Sequence, residues 1–212
     1  MTKDQTVDAF AVIADINDFA RTVAAAEKGS SKGEDIADFT RDALKHVVQT
    51  IEAIGGEVAA LMGDGVLGIV PEGAAIRTMC NDIAIAVNRE SVNISEHQQK
   101  FPGDRAYSPG GPSLKICIEF GKIHLASINT RNLGTQALFI GSAVNYASRL
   151  CLAGVGNRCL IGPVAASRAE FSSFTFRSPR HVAGKHGEAE LVYYELSLAE
   201  HWREGGPRQP PE

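Results

Sequence analysis

The sequence predicts an α+β fold with helices packed on one face of a mostly antiparallel sheet. Three observations carry this. Phe10 to Ile16 is an apolar run that holds an acid near its end and reads as a buried strand. Gly63-Asp64-Gly65 separates two apolar arms, as a two-strand hairpin asks. Between them, Glu34 to Ile54 has helical periodicity. No internal repeat and no domain boundary interrupts the order strand, helices, hairpin, helix, strands, helix, strand.

The elements follow in order. Asn17-Asp18-Phe19 opens a short helix, and Lys28 to Gly33 is a polar break. Apolar residues then recur at Ile36, Phe39, Ala43, Val47, Ile51 and Ile54, and Gly55-Gly56 supplies the stop. Hairpin arms Val58 to Met62 and Val66 to Val70 come next. Glu72 to about Ser95 reads as a second long helix with Ile76, Cys80, Ile83 and Val87 on its apolar face. Glu96 to Ser113, rich in Pro and Gly and without periodicity, reads as an insertion in preference to a mobile lid. Leu114 to Ile128 reads as two antiparallel strands bent at Gly121, Gln136 to Ile140 as a short strand, and Ala143 to Ala153 as a helix. A strand at Arg158 to Ile161, a short helix from Pro163, and strands near Phe174 to Phe176 and Leu191 to Leu198 complete a single domain over 1–202. The segment 203–212 reads as a disordered tail.

Composition narrows the function. A chain of 212 residues with 44% hydrophobic and 22% charged residues is ordinary for a globular protein. A net charge of −4 argues against a dedicated nucleic-acid binder, yet leaves room for a site that holds a polyanion through metals. Cys80, Cys117, Cys151 and Cys159 have no CxxC spacing and read as reduced core residues. MTKDQTVDAF has no apolar signal region, and no apolar run approaches membrane-spanning length. The expectation is a soluble cytoplasmic protein without a membrane partner.

Alternation along the first strand puts Ala11, Ile13 and Asp15 on one face, and Asp64 sits on the hairpin turn. A lone GDG is an ordinary turn former. Antiparallel pairing, however, lets both carboxylates reach one end of the sheet. Two acids there shift each other's pKa unless a cation sits between them. Hard divalent ions held by carboxylates keep positions open for water and phosphate oxygens. The backbone N–H groups of Asn17, Asp18 and Phe19 would add an anion site. Asn145 and Arg149 lie one helical turn apart on one face, an amide and a forked cation suited to a ribose and a transferring phosphate. Alone, such a pair is more often a surface hydrogen bond.

Together these stretches resemble class III nucleotidyl cyclases, the adenylate and guanylate cyclase catalytic domains, from Phe10 to about Leu198. FAVIADINDF resembles the strand with the family's first metal aspartate, here Asp15, and GGEVAALMGDG the hairpin with the second, here Asp64. IGSAVNYASRL resembles the helix with the transition-state asparagine and arginine, here Asn145 and Arg149, and GKHGEAELVYYEL the closing strand. The resemblance implies a ferredoxin-like domain that forms a head-to-tail homodimer with composite sites. The acids come from one subunit, and Asn145 and Arg149 from the other. It also implies two divalent ions, Mn or Mg, held by Asp15, Asp64 and the carbonyl of Ile16. The ribose 3′-hydroxyl would attack the α-phosphorus of a nucleoside triphosphate and release pyrophosphate. Arg149 would stabilise charge on the α-phosphoryl oxygens, and Asn145 would orient the ribose.

The departures concern the base. Adenylate cyclases of the family read adenine with a lysine and an aspartate where this chain has Ala60 and Leu138. Guanylate cyclases place a glutamate and a small polar residue there. Both readers are gone while all four catalytic residues remain, and a site without polar readers has no evident means of choosing a purine. The chain therefore looks most like the stand-alone bacterial pyrimidine cyclases of anti-phage signalling, with UTP preferred over CTP. An adenylate cyclase with a substituted pocket and a non-catalytic nucleotide-binding homologue stay open. Ala20 replaces a frequent threonine, and Leu191 replaces a triphosphate-binding lysine of some members, for which Lys185 or Arg149 would compensate, unless the triphosphate is held more by metal. His46, His124 and His186 have no ligand spacing.

Overall fold

The computed structural model describes residues 5–17, 19–20, 23–24, 33–83, 113–132, 134–153, 158–174, 176, 178–182 and 190–197. Asp18, Lys185, most of the expected insertion, the second helix beyond Ile83 and the tail lie outside them. The strands are β1 (Gln5–Asn17), β2 (Glu57–Leu61), β3 (Gly65–Pro71), β4 (Ser113–Thr130), β5 (Gly134–Ile140), β6 (Arg158–Ile161), β7 (Arg180–Val182) and β8 (Leu191–Ser197). The helices are α1 (Gly33–Ala53), α2 (described over 76–83), α3 (Ser142–Ala153) and α4 (Pro163–Ala166).

The eight strands form one sheet in the order β2-β3-β1-β4-β6-β8-β7, with β5 added to β4. Every pairing is antiparallel except β4 with β6. The α+β class and the mostly antiparallel sheet are as expected. Strand β1 is apolar on both faces, and such a strand has to be covered on both. Phe10, Val12, Ala14 and Ile16 pack with Ala43, Val47 and Ile51 of α1, with Ile76, Met79 and Ile83 of α2, and with Phe171. Ala9, Ala11 and Ile13 pack instead with Ala143, Ala147 and Leu150 of α3. The expectation of helices on one face thus holds for α1, α2 and α4, while α3 occupies the opposite face.

Two further expectations are corrected. Residues 113–130 form one strand of 18 residues, because Gly121 pairs with Ala9 without a break in register. Its first half also pairs with β6 and its second half with β5. Phe174 and Phe176 are not in a strand; their rings, 6.2 Å apart and stacked, join Phe171 and Tyr194 in an aromatic cluster. The strand of that region is β7.

Candidate active site

Asp15 lies opposite Gly65 in the β1–β3 pairing, and the Ile16 N–H donates to the Asp64 carbonyl at 3.1 Å. The turn that carries one acid is therefore stitched to the strand that carries the other. Gly63 takes φ +69°, a conformation that costs glycine little, and the Met62 N–H donates to the Gly65 carbonyl at 2.8 Å. A Cβ on Gly65 would stand 3.1 Å from the Ala14 carbonyl and 3.5 Å from Asp15 Oδ1. A side chain there would require the Ala14 carbonyl to give way by a few tenths of an ångström.

A third charge joins the two acids. The β1–β4 register sets Asp15 opposite Lys115, whose Nζ is 3.3 Å from Asp15 Oδ2. The lysine side chain is 7% exposed, against 31% for Asp15. Burial pushes the Asp64 pKa up and the Asp15 charge adds to this, while its own backbone N–H and Lys115 pull it back. Sequence reasoning did not single out Lys115. The available signal was a cation in the middle of LKICI, an otherwise apolar strand.

The two carboxylates are a set of hard oxygen donors of the kind a divalent cation takes. Among the described residues no three His, Cys, Asp or Glu side chains converge. The set fits an ion that takes its remaining ligands from water and phosphate, not one held in a cage of protein groups alone.

Asn145 is exposed and Arg149 half-buried on α3, which packs on the β1 face that carries Ala11, Ile13 and, by alternation, Asp15. The charges that act on Asp64 are those of Asp15 and Lys115, so the structure brings these three together, while Asn145 and Arg149 are carried by α3. Between them, Tyr146 reaches β8, a second contact that sequence reasoning missed. Its hydroxyl donates to the Val192 carbonyl at 2.8 Å and accepts from the Val192 N–H at 3.0 Å. Ala60 is half-buried against the α3-side core, and Leu138 is 38% exposed on β5. Neither lines the nearby cleft of about 280 Å³ to which Gln5, Glu57, Ser127, Thr135 and Phe139 contribute. Phe19 packs on the α1-side core, and Leu191 is buried.

No protein-family model and no curated protein matches the chain. Solved structures do. The guanylyl cyclase Cya2 superposes with a TM-score of 0.70 at 16% identity, over 90% of this chain and 92% of that one. The adenylyl cyclase CyaB from P. aeruginosa gives 0.66 at 17% identity, over 92% and 96%. The fold is that of class III cyclase catalytic domains. The same cyclase fold recurs in a class III adenylyl cyclase-like ATP-binding protein from Pseudomonas aeruginosa. There the TM-score is 0.62 at 16% identity, over 77% of this chain and 35% of that one. No described helix is long and apolar enough to cross a membrane.

Proposed function

We propose that this chain is a nucleotidyl cyclase converting a pyrimidine nucleoside triphosphate, UTP foremost, to its 3′,5′-cyclic monophosphate and pyrophosphate. The product would serve as an antiviral second messenger. The observation that carries the reading is the meeting of Asp15, Asp64 and buried Lys115 at one sheet end, in a fold shared with adenylyl and guanylyl cyclases.

Two divalent ions, Mn or Mg, held by Asp15, Asp64 and the Ile16 carbonyl would activate the ribose 3′-hydroxyl and neutralise the triphosphate. The chain's own residues bind and orient. Lys115 would offer Nζ to a phosphate oxygen. The backbone N–H groups at 17–19 and the cation of Lys185 add to the triphosphate site. Arg149 meets the charge that develops on the α-phosphoryl oxygens, and Asn145 orients the ribose. Both act across a head-to-tail dimer. Supporting that assembly, Leu61 and Met62 at the hairpin tip are 64% and 46% exposed, and Ile128, Leu138 and Ile140 on the β4–β5 ribbon are 48%, 38% and 56% exposed. A tip seated on a ribbon, twice over, would bury both patches by one two-fold axis.

The pyrimidine preference rests on Ala60 and Leu138, which offer a base no side-chain hydrogen bond. Likeness to an ATP-binding protein of this fold favours, as a second reading, nucleotide binding without turnover. Incubation of the purified protein with Mn²⁺ and each of ATP, GTP, CTP and UTP, with products resolved by mass, decides among these. A cyclic pyrimidine nucleotide supports the proposal. Cyclic AMP replaces its substrate, and nucleotide binding without any cyclic product transfers the weight to the second reading.

A further inference from the structure

Strand β6 stops at Ile161, whose partner on β8 is Tyr194, and the chain then leaves the sheet through Gly162 and Pro163 into α4. Val192 lies beyond that end. On its other side it is paired with His181 of β7. In an antiparallel ladder the N–H and C=O of one residue point to the same side. Both of Val192's groups meet the Tyr146 hydroxyl, so both point away from β7, into the place a longer β6 would have filled. One hydroxyl, donating and accepting at once, stands in for the missing strand. Burial holds the Tyr146 pKa above its ordinary value, so the phenol keeps the proton that the donating bond needs.

The consequence falls on α3. Tyr146 follows Asn145 directly and lies three residues before Arg149, one turn away. Rotation of a helix by about 20° carries a side-chain end about 6 Å from its axis through about 2 Å. A displacement of that size is enough to cost a reaction two orders of magnitude. We propose that Tyr146 is a positioning residue: by locking onto the Val192 backbone it fixes the rotation of α3, and so sets where Asn145 and Arg149 stand toward the substrate. The inference rests on the cyclase reading above.

Tyr146→Phe keeps the ring and its packing and removes only the hydroxyl. The variant is compared with the unsubstituted protein by steady-state kinetics on the triphosphate that the latter turns over, with sites counted by nucleotide-binding stoichiometry. Expected are a kcat per folded site lower by about tenfold or more and a KM within about twofold. The melting temperature should fall by no more than about 4 °C. In an Arg149→Ala background the same substitution should cost less than it does alone, because one of the two residues it acts through is gone. An unchanged kcat per folded site, or a full tenfold loss in the Arg149→Ala background, overturns the inference. Amide exchange gives a test apart from turnover. The Val192 N–H should be protected in the unsubstituted protein and exchange faster in Tyr146→Phe; rapid exchange in both overturns it. Absence of turnover by the unsubstituted protein would overturn the cyclase reading and this inference together, whereas an active parent with an unaffected variant overturns this one alone.

Discussion

The Asp64 pKa is raised from its ordinary value by burial and by the charge of Asp15, and its ionisation therefore works against the fold. In acid, where folded and unfolded states are both protonated, it costs nothing. As the pH rises past the unfolded pKa the unfolded chain ionises first, so native stability falls until the pH passes the raised folded value. Asp64→Asn should then raise the melting temperature of the metal-free protein at neutral pH, leave it unchanged below about pH 3, and abolish turnover. Thermal melts across pH with and without Mn²⁺ would check this. Lys115→Met tests the opposite charge. With Nζ removed from its place 3.3 Å from Asp15, Mn²⁺ should bind about tenfold more tightly, while KM for the triphosphate rises. Calorimetry and kinetics on one preparation read both. The acids were legible in the sequence because each closes a local pattern, an apolar run or a glycine-flanked turn. Lys115 was not, because its meaning comes from a cross-strand partner exactly one hundred residues away in register, which no local pattern shows.

At the scale of elements, the polar stitch between β4 and α4 is a buried carboxylate. Glu119 accepts from the N–H groups of Phe120 and Ala165, both at 2.8 Å, and burial raises its pKa against their pull. A Cβ on Gly162 would fall 2.1 Å from Glu119 Oε2. Gly162→Ala should displace that carboxylate from the start of α4 and destabilise the protein by about 2 kcal/mol, read by chemical denaturation. Hairpin, α1 and α3 could be placed from sequence because glycine stops, turn chemistry and period speak within a few residues. The unbroken β4 could not, since Gly121 reads locally as a bend and it is the continuous register with β1 that carries the strand through it. Nor could the second face of the sheet. Ala9, Ala11 and Ile13 are compatible with any cover, and it is the long-range packing of Ala143, Ala147 and Leu150 that places α3 there.

For the whole molecule, the composite-site proposal makes a quantitative demand. Mixing an Asp64→Ala variant with an Arg149→Ala variant, each severely impaired alone, should restore about a quarter of the parent activity, since half the dimers are mixed and each of those has one intact site. Ile140→Asp on the exposed ribbon should give a monomer by sedimentation and lose activity with it. Lys115 has one more consequence at this scale. Because the acid cluster carries a counter-ion of its own, the sheet end does not depend on an outside ion to stay assembled. Under the proposed chemistry, a divalent cation enters by exchange against an ammonium group, not by filling a collapsed site. Starved of such ions, the molecule would wait folded and silent, and it would resume work as soon as supply returned, with no refolding in between.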